Sequence, residues 1–355
     1  MGSFNVNYNG ISSTFNKTLF REAVGRFIAV GFWMAIPVAI YNLTPVYQHL
    51  RGGIQEFLLL IFGLYILFGL PIFYFYRIWF TGPRLDSKAV IALQFLPQIP
   101  VRVLAKLRNP SAAVFIEEKT RVAFLATIIK VFFLPLMVSG VISNGYALIA
   151  SYPKVLDGGF SEPQFAYAIL VSTLILIDAS IFAFGYLVES VYFQNEIKSV
   201  EPTFVGWAVA LVSYQPFNTI LNRFERTVIP PIPIDLSISN QTALIVFLAL
   251  SVCCYGIYVW ASVALGPRAG NLVNRGIVWG GPYAFIRHPA YISKNLAWWF
   301  ALIPVMTDIR PMIVLCIAVF IYLLRAITEE RHLNTDPEYV AYCKRVRYRF
   351  IPFVI

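Results

Sequence analysis

The chain has 355 residues, of which 58% are hydrophobic and only 13% are charged. A soluble domain has about 45–50% apolar and about 25% charged residues, so this composition excludes an ordinary soluble protein and indicates an integral membrane protein. The formal net charge of +10 is typical of a surface that is anchored to the anionic headgroups of membrane lipids, and nucleic acid is not expected as a partner.

The apolar segments predict an all-α fold, namely a polytopic transmembrane helical bundle. A helix that crosses a bilayer needs about 20 mainly apolar residues, and the chain offers about eight such windows. They lie at 27–46, 56–80, 122–150, 164–188, 204–221, 241–265, 291–306 and 310–327. The fifth and seventh windows are interrupted by polar residues, so seven spans is the alternative count.

Basic residues concentrate in segments that an even number of spans places on one side. They lie at the N-terminus, in the loops after the second and sixth spans, and in the tail. Because short cytoplasmic loops are enriched in Lys and Arg, both termini are predicted to be cytoplasmic, in a bacterial inner membrane or the endoplasmic reticulum. The loop 189–201 is the exception, since it holds Lys198 against three glutamates.

Several features of the first 300 residues leave alternatives open. The segment Ser87 to Arg108 mixes apolar and basic residues around two prolines, which favours a helix pair lying on the membrane surface. Asp178 lies in the middle of a span, where it is expected either to make an inter-helix hydrogen bond or to line a polar cavity. Lys130 can reach the membrane surface, and Lys294 is polar where a lipid-facing residue is expected.

Two polar clusters flank the last two predicted spans and contain two of the three histidines of the chain. The first cluster runs from Gly280 to Tyr291, and the second runs from Arg325 to Leu333. A short loop joins the two spans, so they are predicted to form an antiparallel hairpin that brings both clusters to one membrane face. A single site built from both clusters is therefore expected.

This ordered pattern resembles the isoprenylcysteine carboxyl methyltransferases, their bacterial homologues and the phospholipid methyltransferases. The shared pattern is G-P-Y-x-x-x-R-H-P-x-Y, a hairpin, E-E-x-x-L, and a tail with tyrosines that ends R-F-I-P. The matching residues are Gly281, Pro282, Tyr283, Arg287, His288, Pro289, Tyr291, Glu329, Glu330, Leu333, Tyr339, Tyr342, Arg349 and Pro352. The resemblance covers 241–355, whereas 1–240 is a transmembrane region of unassigned role.

The resemblance implies a methyltransferase that uses S-adenosylmethionine and a lipophilic acceptor from the bilayer, for O- or N-methyl transfer at the cytosolic face. It implies no metal. The residues expected to bind the cofactor are Gly281, Tyr283, Arg287, His288, Pro289, Tyr291, Glu329 and Tyr342. Arg325 and Glu330 are expected to be catalytic. Because Arg325 and Glu329 are four residues apart on one helix face, they are also a possible ion pair, and the roles of Glu329 and Glu330 can be exchanged.

Asp336 and Pro337 form a good helix start, and the tail that follows is predicted to be an amphipathic interfacial helix.

Two other functions compete with the methyltransferase. Membrane sterol reductases share a similar R-H-P segment and tyrosine-rich tail but use NADPH. A non-catalytic transport or scaffold protein built on the first spans would give Asp178 and Lys130 a role.

Overall fold

The protein is described here by a computed structural model, which covers residues 17–48, 53–79, 86–109, 115–219, 241–306 and 309–352. Most of these residues are helical, and the predicted all-α class is confirmed. The α-helices are α1 (Lys17–Leu43), α2 (Pro45–Gln48), α3 (Ile54–Trp79), α4 (Lys88–Phe95), α5 (Gln98–Arg108), α6 (Glu118–Leu156), α7 (Pro163–Leu187), α8 (Phe204–Leu211), α9 (Gln241–Leu265), α10 (Pro289–Leu302), α11 (Arg310–Leu333) and α12 (Pro337–Arg345).

Within the described residues, six helices are long and apolar enough to cross a membrane: α1, α3, α6, α7, α9 and α11. They coincide with six of the eight predicted windows. The helices in the other two windows are shorter, since α8 has 8 residues and α10 has 14, and neither is long enough to cross a bilayer by itself. The expected helix pair is present as α4 and α5, which are bent by 48° and could together form a seventh span.

The chain divides into two compact units. One comprises Met1–Leu136 with Glu189–Ile197, and the other comprises Met137–Val188 with Lys198–Ile355. The second unit therefore contains α7 and α8 in addition to 241–355. The boundary at residue 240 that the resemblance suggests stays a prediction.

In the first unit, an ion cluster holds the segment after α7 against two helices. Glu189 is 8% exposed, and its carboxylate pairs with Lys88 of α4 and, at 2.7 Å, with Lys130 of α6. It also accepts a hydrogen bond from the Ile197 N–H. Burial raises the pKa of Glu189, but Lys130 and Lys88 outweigh it and lower the pKa to about 2. Lys130 is therefore explained by an ion pair inside this unit.

In the second unit, polar side chains fix α7 and α9 in a parallel arrangement. The Tyr167 hydroxyl, near the start of α7, lies 3.0 Å from the hydroxyl of Ser251 in the first half of α9. Further along both helices, Asp178 accepts hydrogen bonds from Tyr258 at 2.7 Å and from Ser262 at 2.5 Å. The inter-helix hydrogen bond expected for Asp178 is confirmed. Because α7 and α9 are parallel, the end of α7 and the start of α9 lie at opposite ends of the bundle.

The helices that carry the two polar clusters complete this unit. Ser251 of α9 also donates to the Ala297 carbonyl of α10 at 2.8 Å. Phe247 contacts Phe300 and Tyr258 contacts Lys294, so α10 runs antiparallel to α9. Three more residues, Ile303–Val305, continue from α10 as a 3-10 turn. Helix α11 then returns beside α10, so the predicted hairpin is confirmed for its described residues.

A two-stranded antiparallel sheet, which the sequence did not predict, lies beside the hairpin ends. Strand β1 (Ser199–Val200) pairs with β2 (Val273–Asn274), with Ser199 opposite Asn274. Thr203 then caps α8, because its hydroxyl accepts a hydrogen bond from the Gly206 N–H at 3.1 Å. The sheet places the start of α8 next to the loop that leads into the first polar cluster.

The tail contains helix α12, which begins at Pro337 as the sequence suggested. The Asp336 side chain accepts a hydrogen bond from the Glu338 N–H at 2.9 Å, and Pro337 occupies the first turn. One side of the helix is buried through Tyr339 and Tyr342. Its placement at a membrane interface stays a prediction.

Candidate active site

The two polar clusters lie side by side at one end of the hairpin, as connectivity predicted. His288 Nε2 lies 3.2 Å from Glu330 Oε1. The Tyr291 hydroxyl donates to Glu329 Oε2 at 2.6 Å. These two contacts join residues 42 and 38 positions apart, so the juxtaposition is confirmed.

Glu330 is held by three basic side chains. It is 3% exposed, and its Oε1 lies 3.2 Å from His288 and 3.3 Å from Arg287 Nε. Its Oε2 accepts a 2.8 Å hydrogen bond from Arg349 Nε in the tail. Both carboxylate oxygens are therefore occupied by side chains of the protein itself. This arrangement favours a positioning role for Glu330 over the predicted catalytic one.

The tail also binds the R-H-P segment through the main chain. The N–H of Arg287 donates to the Tyr348 carbonyl, and the N–H of His288 donates to the Arg349 carbonyl, both at 2.9 Å. The first N–H groups of a helix have no partner within the helix, and Pro289 has none to offer. The tail therefore occupies the two amides that immediately precede α10.

Gly281 has a reason for being glycine that involves no ligand. Its φ is +60°, and a Cβ there would lie 3.0 Å from the Cβ of Ala264 and 3.5 Å from the Trp260 ring nitrogen. The left-handed backbone and the close approach to α9 both favour glycine. The structure thus places Gly281 in a packed turn.

Tyr283 and Tyr342 belong to a small apolar core between the R-H-P loop and α12. The Tyr342 hydroxyl donates to the Tyr283 carbonyl at 2.7 Å, and both side chains pack with Ile277 and Val346. Burial raises the pKa of both tyrosines above the ordinary value, so both phenols stay neutral. Neither tyrosine lines the cavity described next.

A small, partly open cavity lies beside the hairpin, lined by the start of α8, the loop before β2 and the end of α11. Its volume of about 40 Å³ has room for about three water molecules. Its lining residues are Glu201, Gly206, Ala210, Gly270, Asn271, Leu272, Val273, Tyr291, Arg325, Thr328, Glu329, His332 and Leu333. Three of the predicted site residues, Tyr291, Arg325 and Glu329, are therefore brought together here.

Arg325 carries the positive charge of the cavity. It is 7% exposed, and its Nη2 donates to Asn271 Oδ1 at 2.8 Å. Its guanidinium lies over the rings of Tyr214, Tyr291 and Tyr322 at 5.8, 5.3 and 5.1 Å. Arg325 thus lies against one neutral hydrogen-bond acceptor and the faces of three aromatic rings.

The ion pair considered between Arg325 and Glu329 is not formed, although both residues do lie on one face of α11. Glu329 is exposed and takes the hydroxyl hydrogen of Tyr291. Two opposite charges therefore line one cavity without neutralising each other directly. A ligand with separate positive and negative groups can meet both.

Glu201 adds a second carboxylate that sequence reasoning missed. It is 2% exposed, and its Oε1 accepts hydrogen bonds from the Thr203 N–H at 3.0 Å and from Arg331 at 2.9 Å. Its Oε2 is buried and has no hydrogen-bond partner among the described residues. Burying an oxygen of a carboxylate in this way is costly, so Glu201 is a candidate for contact with a ligand.

Of the two described histidines, His332 reaches the cavity, whereas His288 is held at Glu330. His332 Nε2 lies 2.9 Å from the Ser199 hydroxyl on β1. Neither Glu201 nor Asn271 could be found from the sequence, since both lie in loops without a motif. Tyr322 was detectable, because it precedes Arg325 by three residues on the same helix and so shares its face.

Comparison of the chain with protein-family models, with curated proteins and with solved structures finds no match. Among the described residues, no group of three or more His, Cys, Asp or Glu side chains could hold a metal ion. The function must therefore be inferred from the chemistry of the site.

Proposed function

We propose that the protein is an integral-membrane methyltransferase that uses S-adenosylmethionine and a lipophilic acceptor. The observation that carries this proposal is the convergence of the R-H-P segment, the end of the hairpin and the tail around Glu330, beside a cavity lined by Arg325, Glu329 and Tyr291. These segments hold the residues that resemble the membrane methyltransferases, and the resemblance requires them to be neighbours.

The side chains of the cavity fit the chemical groups of this cofactor. The carboxylates of Glu201 and Glu329 suit its amino group and ribose hydroxyls, and the Arg325 guanidinium suits its carboxylate. The ring of Tyr291 stacks on His288 and lies against Arg325, so it suits the adenine or the sulfonium, through stacking or a cation–π contact, once these neighbours move apart. A nucleoside is much larger than three water molecules, so binding requires the lining side chains to move apart.

When it is bound, S-adenosylmethionine supplies a methyl group on a positively charged sulfur. The protein orients the acceptor and excludes water, which is how alignment lowers the barrier to such a displacement. A carboxylate acceptor is already a nucleophile near neutral pH and needs no base. An amine acceptor must lose a proton, and His332 is then the base, because His332 lines the cavity and His288 is engaged by Glu330.

The proposal includes eight membrane crossings and a cytosolic site. The parallel arrangement of α7 and α9 supports a crossing between residues 187 and 241, where the fifth predicted window lies. The antiparallel α10, with its 3-10 turn, supports another crossing between α9 and α11. The basic loops support the cytosolic orientation. An impermeant thiol reagent added to intact cells should leave a cysteine at Glu338→Cys unlabelled until the membrane is opened.

The direct test is calorimetric titration of the detergent-purified protein with S-adenosylhomocysteine and, separately, with NADPH. Heat with S-adenosylhomocysteine alone supports the methyltransferase. Heat with NADPH alone would replace it with the reductase. Heat with neither compound would remove the cofactor site from consideration.

A further inference from the structure

Lys294 is a positively charged side chain inside the helical bundle. It lies five residues after Pro289 in α10, which at 1.5 Å per residue is about 7–8 Å along the helix axis. Its Nζ lies 4.9 Å from the ring centre of Tyr258 on α9 and 5.6 Å from that of Trp298, one turn further along α10. The side chain is half-buried, so part of it is open to an approaching molecule.

No described residue forms a salt bridge or a hydrogen bond with Lys294, although the carboxylate of Asp178 attracts it from a longer distance. Asp178 is the carboxylate on the neighbouring α7, but its two oxygens accept the hydroxyls of Tyr258 and Ser262. The Tyr258 side chain therefore separates the lysine from Asp178: its ring faces Lys294 and its hydroxyl faces the carboxylate. The lysine keeps its positive charge available.

The same aromatic wall connects Lys294 with Arg325 in the cavity. Trp298 makes an edge-to-face contact with Tyr322 at 5.7 Å, and the Arg325 guanidinium lies 5.1 Å from the Tyr322 ring centre. Two cations thus lie on the two sides of one aromatic pair. Both have ring faces as neighbours where a carboxylate would be expected.

The free-energy cost of burying the charge of Lys294 would be lowered by a neighbouring anion. Burying a charged lysine among membrane helices is costly, and the cation–π contacts with Tyr258 and Trp298 offset only part of that cost. Ionisable residues inside a membrane usually pair with one another or mark a pathway for a substrate. Because Asp178 already accepts two hydroxyl hydrogen bonds, an anion that pairs directly with Lys294 has to come from outside the described residues.

We propose that Lys294 and its aromatic wall bind the acidic group of an amphiphile that enters from the bilayer. The ligand presents carboxylate or phosphate oxygens to the lysine, and its hydrocarbon part remains among the helices and lipid. That this amphiphile is also the methyl acceptor rests on the proposed function. Lys294 then selects acidic over neutral lipids.

The test compares ligands that differ in charge. The affinities of oleate, lysophosphatidate, inorganic phosphate and oleyl alcohol are measured on the full-length protein in nanodiscs made of a neutral phospholipid. Lys294→Met should weaken the binding of the preferred acidic amphiphile by about tenfold and leave oleyl alcohol unchanged. Lys294→Arg should retain most of the affinity. Lys154→Met, which removes an exposed lysine paired with Glu162, is the matched control.

Three outcomes would overturn the inference. In the first, the acidic amphiphiles bind the wild type and Lys294→Met equally. In the second, they bind no better than oleyl alcohol, or inorganic phosphate binds as well as they do. In the third, the double variant Lys294→Met with Asp178→Asn recovers wild-type binding, which would mean that Lys294 only neutralises the charge of Asp178. A parallel titration with S-adenosylhomocysteine separates the two proposals, since a lipid site that depends on Lys294 without cofactor binding would refute only the methyltransferase.

Discussion

Tyr291 and Glu329 connect the two helices of the hairpin through a 2.6 Å hydrogen bond from the phenol to the carboxylate. Both residues also line the cavity, and the Tyr291 ring is one of the three faces around Arg325. One contact therefore sets the position of a carboxylate, an aromatic ring and a cation. This makes Glu329 the most informative residue to change.

Glu329→Gln should weaken the binding of S-adenosylhomocysteine by about tenfold, because the amide keeps the shape of the side chain but loses its negative charge. Calorimetric titration measures the change. Glu338→Gln is the matched control, since Glu338 is an exposed carboxylate whose partner is Lys198 at 3.6 Å. Equal weakening in both variants would indicate a general charge effect and contradict a specific contact.

Glu330→Gln should destabilise the protein by about 3 kcal/mol, because it leaves basic side chains without their shared buried partner. The tail should also loosen. Hydrogen exchange at the amides of Arg287 and His288, which bind tail carbonyls, should become faster. Glu162→Gln, which breaks the exposed pair with Lys154, should cost less than about 1 kcal/mol. Unchanged exchange in Glu330→Gln would show that the carboxylate does not hold the tail.

Asp178→Asn should lower the stability of the detergent-solubilised protein by about 1–3 kcal/mol. An asparagine offers one oxygen to the two hydroxyls of Tyr258 and Ser262, and its amide nitrogen faces a donor. Thermal unfolding measures the loss. Ser180→Ala is a suitable control, because Ser180 is exposed on the same helix and bonds only to the Leu176 carbonyl. Equal unfolding temperatures for the two variants would contradict the prediction.

The Glu189 cluster should make stability depend on pH under acidic conditions. The pKa of Glu189 is lowered from 4.5 to about 2, so the folded state binds its proton less readily than the unfolded state does. The stabilisation is therefore complete above about pH 4.5 and is lost as the pH falls towards about 2.

Denaturant unfolding of the wild type and of Glu189→Gln at pH 6 and at pH 2.5 tests this pH dependence. The wild type should be the more stable at pH 6, and the difference should shrink at pH 2.5. A difference that stays constant across this range would mean that the ion pairs do not supply it.

The hairpin and the meeting of its two polar clusters were predictable, because a short loop between two apolar windows leaves few other arrangements. The start of α12 was also predictable, since capping by Asp336 is a local interaction. Long apolar windows identified six helices for the same reason, as length and composition decide them locally.

The details of the site were not predictable, because they depend on contacts between distant segments. Glu330 takes its partners from the R-H-P segment and from the tail, so its sequence neighbourhood does not reveal that both oxygens are occupied. Asn271 accepts a hydrogen bond from Arg325, which lies 54 residues further along the sequence, and Asn271 is not part of a motif. The sheet of Ser199 and Asn274 has two residues per strand, which is too short to give an alternating pattern.

The hydroxyl contacts of Ser251, Tyr258 and Ser262 have a consequence for how α7, α9 and α10 are aligned along their axes. Apolar faces in lipid allow helices to slide with little penalty, whereas a shift by one turn, about 5.4 Å, would break the contacts of Tyr167, Asp178 and Ala297 together. These contacts therefore fix the positions of the three helices along their axes relative to one another. The position of Lys294 relative to Tyr258 along the helix axis therefore depends on contacts inside the bundle and not on the loops at its surface.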